Sequence, residues 1–120
     1  MIQCTAITYH QKSRQLEVEF ESGERFVLSA EFLRVHSPSA EVQGHHPAQR
    51  VLQSGKEAVN ISAIHPVGQY AVLLEFDDGH STGIYSFETL HRFGRTQAKM
   101  WADYLADLAA AGIMRKPIEL

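Results

Sequence analysis

Leu16-Glu17-Val18-Glu19-Phe20-Glu21-Ser22-Gly23 is the stretch on which the fold reading turns. Apolar and acidic residues alternate with period two. In an extended chain that sends Leu16, Val18 and Phe20 to one face and the glutamates to the other, the pattern of a half-buried strand. Ser22-Gly23 predicts a turn, since glycine takes positive φ without steric cost. Upstream, Thr5, Ile7 and Tyr9 alternate with Ala6, Thr8 and His10, and Lys12-Ser13-Arg14 supplies a link. Downstream, residues 25–28 return as a third strand. The expected unit is an antiparallel meander.

A second set of alternating strands follows. Residues 60–65 read as a strand and Pro66-Val67-Gly68 as a turn. Tyr70, Val72, Leu74 and Phe76 then form one face of another strand. Asp77-Asp78-Gly79 is a turn of the Asp-Gly type, and a short strand covers residues 82–85. The halves echo one another: Phe20-Glu21-Ser22-Gly23 leads to Leu28-Ser29-Ala30-Glu31-Phe32-Leu33, and Phe76-Asp77-Asp78-Gly79 leads to Tyr85-Ser86-Phe87-Glu88-Thr89-Leu90. Ser29 and Ser86 are placed to cap helices, with Glu31 and Glu88 at the positive helix ends. Two short helices are expected to start there. One extra residue between glycine and serine in the second copy predicts a bulge near His80. A last helix is expected from Thr96 as cap, with Ala98, Trp101, Leu105 and Leu108 at helical spacing and Gly112 as the stop. The fold class is therefore α+β: a small β-rich domain of antiparallel strands, two short helices and a C-terminal amphipathic helix. Residues 1–114 form one domain and 115–120 a tail. Residues 36–59 make a long connection, of a length that tends to be functional or mobile.

With 120 residues the chain can bury one modest core, and 44% hydrophobic with 21% charged residues argues against disorder. A net charge of -3 provides no field for nucleic acid or an anionic membrane, so neither is an expected partner. No segment approaches the roughly 20 apolar residues that span a bilayer. Met1-Ile2-Gln3-Cys4-Thr5 carries no basic or apolar leader features, and a cytoplasmic location is the expectation. Cys4 is the lone cysteine, which excludes an internal disulfide or a cysteine-based metal cage within one chain.

The least generic segments are Leu33-Arg34-Val35-His36-Ser37-Pro38-Ser39-Ala40-Glu41-Val42-Gln43-Gly44-His45-His46 and Phe76-Asp77-Asp78-Gly79-His80-Ser81-Thr82-Gly83-Ile84-Tyr85. Together they resemble a family of small bacterial domains of unknown function (DUF971) that is similar to the N-terminal domain of gamma-butyrobetaine hydroxylase. The resemblance covers roughly residues 15–94 and implies a small β-rich α+β domain. In the hydroxylases, closely spaced cysteines after the Leu-Arg and a histidine after an acidic turn make a structural zinc site. The resemblance places Ser37, Ser39 and Val42 at the cysteine positions and keeps the histidine as His80. Serine is a poor zinc ligand and valine is none, so that site is expected to be broken. Hydroxylase activity belongs to a separate, larger domain and is not carried over.

Alternative chemistry stays open at this level. The chain has seven histidines, and His36, His45, His46 and His80 with Asp78 offer nitrogen and oxygen ligands suited to zinc or iron. Ser37 or Ser39 with His80 and Asp78 has the composition of a hydrolase triad, without a nucleophile elbow. Arg34 reads as a partner of the acidic turn or as an anion site. The leading expectation is a non-enzymatic binding or adaptor module, with no certain cofactor and with Arg34, Ser37, Ser39, Asp77 and Tyr85 on its contact face. Similar domains fused to P-loop ATPases of the iron–sulfur carrier type imply a protein partner of that kind. Self-association through Met100 and Tyr104 on the last helix is a further expectation.

Overall fold

A computed structural model describes residues 2–44 and 47–115. In chain order the elements are β1 (Cys4–His10), β2 (Gln15–Phe20), β3 (Arg25–Ser29), α1 (Ala30–Val35), α2 (Ala40–Gln43), β4 (Ile61–Val67), β5 (Ala71–Phe76), β6 (Gly83–Ser86) and α3 (Phe87–Ala110). The strands form two antiparallel sheets, β1-β2-β3 and β4-β5-β6, each a meander that feeds a helix. The alternation in β2 resolves as expected. Leu16, Val18 and Phe20 are buried, and on β5 so are Val72, Leu74 and Phe76. These residues share one core with Leu28, Leu33, Tyr85, Leu90 and Phe93. The architecture is α+β, as the periodicities predict.

The two halves repeat each other in detail. Register slips between Cys4 and Ala6 opposite Phe20 and Glu19, and again between Ile61 and Ala63 opposite Phe76 and Glu75. Gly23 and Gly79 both turn at φ 92°, each with its N–H on the carbonyl of the phenylalanine that ends the strand before it. Ser29 accepts from the Phe32 N–H and Ser86 from the Thr89 N–H, so both caps form as read. The extra residue of the second copy is absorbed before β6, which starts only at Gly83, and the β5–β6 pairing shows no register shift.

Three local readings change. The turn predicted at Pro66-Val67-Gly68 begins later: β4 continues through Pro66 and Val67, because β4 is an edge strand where a missing N–H costs no ladder bond. The short helix at Ser86 and the helix predicted from Thr96 are one continuous helix of 24 residues. Thr96 is therefore no cap; its hydroxyl donates to the Arg92 carbonyl one turn back. The long connection is partly built, with α2 capped by Ser39 and a 3₁₀ turn at Pro47–Gln49.

The helices also make contacts across the two halves. On α3, Gly94 lies so close to Phe26 of β3 that a Cβ there would meet the ring at 2.2 Å. One turn earlier, His91 packs edge-on to Phe20 and Phe26 and bonds Glu24 in the β2–β3 turn at 2.8 Å. Reciprocally, α1 reaches the β5–β6 turn through Arg34, and Tyr85 of β6 donates to the Leu33 carbonyl at 2.5 Å. These contacts bring the two unusual segments together.

Candidate functional site

Ser39 caps α2 by accepting from the Glu41 N–H at 3.2 Å, which sets Glu41 in the first helical turn facing the β5–β6 turn. His80 extends from that turn between the two segments, with 5% of its surface exposed. Its Nδ1 stands 3.2 Å from Glu41 Oε2 and its Nε2 stands 2.9 Å from Ser37 Oγ. A carboxylate only accepts, so Nδ1 carries the hydrogen and Nε2 accepts from the Ser37 hydroxyl. Burial lowers the His80 pKa, and the nearby Arg34 charge adds to this while Glu41 opposes it, which keeps the ring neutral. Ser37 Oγ also accepts the Ser39 N–H at 3.3 Å, and Gln43 Nε2 donates to the Ser37 carbonyl at 2.9 Å. Ser39 and Thr82 hydroxyls meet at 2.7 Å, and Thr82 donates on to Glu41 at 3.2 Å. Every polar group in the cluster has a partner.

A second cluster adjoins it. Arg34 is 7% exposed and donates from Nε to Asp78 Oδ2 at 2.9 Å and from Nη1 to Gln53 Oε1 at 3.2 Å. Lys56 reaches the same Asp78 oxygen at 2.6 Å, and the His80 N–H takes the other at 3.2 Å. Burial alone would raise the Asp78 pKa; the Lys56, His80 and Arg34 hydrogen bonds outweigh it and hold the carboxyl at about 2. Arg34 is thus a structural ion-pair partner of the acidic turn.

The residues expected on a contact face are mostly turned inward: Arg34, Ser37 and Ser39 are buried and Tyr85 has no exposed surface, while Asp77 is exposed. Asp77 accepts the Asn60 N–H at 3.0 Å, which is turn chemistry. Tyr85 is pushed strongly up in pKa by burial, so its phenol stays protonated as the donor to Leu33. The constellation with the composition of a hydrolase triad is altered as well. Glu41, not Asp78, is the acid behind His80, and Ser37 Oγ has the order of a nucleophile but 0% exposure. Gly83 closes the cluster, since a Cβ there would fall 2.6 Å from Ser37 Oγ. The Ser37 hydroxyl has no exposed surface in this arrangement.

His36 and His80 have different surroundings. His36 Nδ1 donates to the Phe32 carbonyl at 2.8 Å, and its ring packs against Phe32, Phe93 and Tyr104. Burial lowers its pKa, with the Arg50 charge adding a little and the Phe32 bond opposing. His36 lines a cavity of about 370 Å³ with Val35, Gln43, Val51, Met100 and Tyr104. Among the described residues no three His, Cys, Asp or Glu side chains stand together as metal ligands. His45 and His46 lie outside the described residues. The positions the resemblance assigns to zinc carry Ser37, Ser39 and Val42 beside His80, and this donor set does not fit zinc. Tyr104 is 5% exposed and packs with Val35 and Leu108, and Met100 packs on the main core, so neither forms the outer face of α3. Among the described residues no helix is long and apolar enough to cross a membrane.

Glu41, Gln43 and Thr82 were not singled out in the sequence. The only local hint was Ser39-x-Glu41, a cap followed by an acid in the first turn. Its link to His80 spans 39 residues of chain and has no sequence signature.

Known proteins bear on this arrangement. No curated protein matches the chain. One solution NMR structure is 50% identical, with a TM-score of 0.85, covering 99% of this chain and 89% of its own. A second is 46% identical, with a TM-score of 0.83, covering 100% and 94%. A crystal structure of a DUF971 protein of unknown function from Acidithiobacillus ferrooxidans is 37% identical, with a TM-score of 0.63, covering 77% of this chain and 92% of that one. The family described as gamma-butyrobetaine hydroxylase-like, N-terminal, matches residues 7–91, which include both clusters. On that match over most of its length, the chain belongs to the gamma-butyrobetaine hydroxylase-like N-terminal domain family.

Proposed function

We propose that this chain is a non-catalytic binding module, accessory to iron–sulfur cluster or metal handling, that works through protein contact. The observation carrying the reading is the closed Ser37–His80–Glu41 network. At the positions that the resemblance relates to the hydroxylases' zinc site there is a hydrogen-bonded cluster, and its one hydroxyl with triad order is buried. A satisfied polar cluster of this kind rigidifies the surface around it, which supports a binding role. The partner class, a P-loop ATPase of the iron–sulfur carrier type, comes from similarity to fused domains.

The test is calorimetric titration of the chain against such an ATPase, with esterase and peptidase assays on the chain and on Ser37→Ala. Saturable binding together with hydrolysis no faster than buffer supports the module. Hydrolysis that Ser37→Ala abolishes would replace it with an enzyme.

A further inference from the structure

Glu31 sits in the first turn of α1 with its side chain only 7% exposed, and a carboxylate buried that far needs a cation. The cation comes from the far end of the chain. Arg115 Nε bonds Glu31 Oε2 at 2.9 Å and Nη2 bonds Oε1 at 2.5 Å, a two-pronged pairing. The same guanidinium lies 5.4 Å over the Trp101 ring. Arg115 therefore does not start a loose tail; it fills a niche made of a carboxylate and an indole face.

The segment that delivers it is otherwise lightly held. Gly112 turns out of α3 at φ 72°, and Ile113 N–H closes the helix on the Leu108 carbonyl at 2.9 Å. Beyond that cap, Ile113 is 37% and Met114 89% exposed. The hold on this segment runs mainly through the Arg115 head group. The niche borders a cavity of about 280 Å³ whose lining includes Arg14, Ser29 and Glu57 with Glu31, Trp101 and Arg115 itself. Arg14 adopts φ 55°, and its Nε is buried with no hydrogen-bond partner among the described residues. A buried donor without an acceptor is costly.

We propose that the Glu31–Trp101 niche is a recognition site for an arginine of a protein partner, occupied in this chain by its own Arg115. The chemistry is complementary at each point. The carboxylate takes the guanidinium fork and the indole takes its flat face. The cis occupant competes because its short tether gives it a high local concentration. The site is independent of the Ser37–His80 reading and stands or falls separately.

Trp101 is the only tryptophan of the chain, so its fluorescence reports this niche. Arg115→Ala should bind N-acetyl-arginine methylamide saturably, and the unsubstituted chain should bind it roughly tenfold more weakly or less, because the tethered arginine competes. Blocked lysine should bind Arg115→Ala far more weakly, since an ammonium cannot form the paired contact. Equal responses from Arg115→Ala and Glu31→Gln/Arg115→Ala would overturn the proposal. A heterodimer formed on mixing Arg115→Ala with Glu31→Gln would give the site to a second copy and overturn the partner assignment. If Arg115→Ala does not fold, Arg115→Lys keeps the charge and takes the same titration. Blocked arginine must then displace the lysine saturably, and failure to do so counts against the site.

Discussion

The Ser37 hydroxyl and His80 Nε2 lie 2.9 Å apart in a cluster with no solvent path to the serine, although 43 residues separate them in the chain. His80 is thus a structural histidine rather than a surface ligand. Replacing it with alanine strands the Ser37 hydroxyl and leaves a void. The expected loss is about 2–4 kcal/mol, from an unpaired buried group and a cavity together. Urea unfolding checks it. An unchanged midpoint would mean the cluster holds nothing together.

The same geometry makes a gain of function testable. His80 Nε2 already points at position 37, and Nδ1–H is already held by Glu41, as a metal-bound histidine needs. Ser37→Cys, Ser39→Cys and Val42→Cys combined should bind zinc near one equivalent, and adding His80→Ala should abolish it. Metal analysis of chelator-free protein is the readout. No uptake by the triple variant would show that the four positions do not converge as the resemblance implies.

Gly94 is where α3 crosses β3, and no side chain fits against Phe26. Gly94→Ala should destabilise by about 1–3 kcal/mol through overpacking, despite the better helix propensity of alanine. In a Phe26→Ala background the same change should cost far less, because contacting sites couple. A double-mutant cycle in chemical denaturation measures this, and strict additivity would refute the contact.

Two acid windows follow from the titrating groups. His36 and His80 have folded pKa values lowered by burial, so the unfolded chain binds protons more readily. Stability is full above the unfolded value of 6.5 and falls as pH drops below it. Asp78 acts lower down: held at about 2, it contributes above the ordinary value of 3.8 and loses that contribution as pH falls toward 2. Thermal melts across this range should show both declines, and His36→Gln with His80→Gln should flatten the first. An unaltered slope between pH 7 and 5 in that double variant would exclude these histidines as its source.

Trp101 packs against both core clusters while keeping part of its surface exposed. Trp101→Ala should therefore cost about 3 kcal/mol, the lower end for a large aromatic. Loss of the Arg115 stacking contact should accompany it. Thermal denaturation decides, and unchanged stability would rule out the packed-helix arrangement.

What the sequence determined by itself was local. The alternation through Leu16 to Phe20, the glycine turns at Gly23 and Gly79, and the serine caps at Ser29 and Ser86 all act within a few residues, where backbone sterics and capping bonds suffice. The family motifs were legible because they are contiguous. Only the tertiary structure decided that Thr96 lies inside a helix, that Glu41 rather than Asp78 stands behind His80, and that Arg115 closes on Glu31. Those pairings join residues 39 and 84 positions apart, and the packing of the two halves on one another creates them. Burial then sets their chemistry. A side chain's solvent exposure and charged neighbours depend on how the sheets and helices pack, and no local pattern encodes that packing.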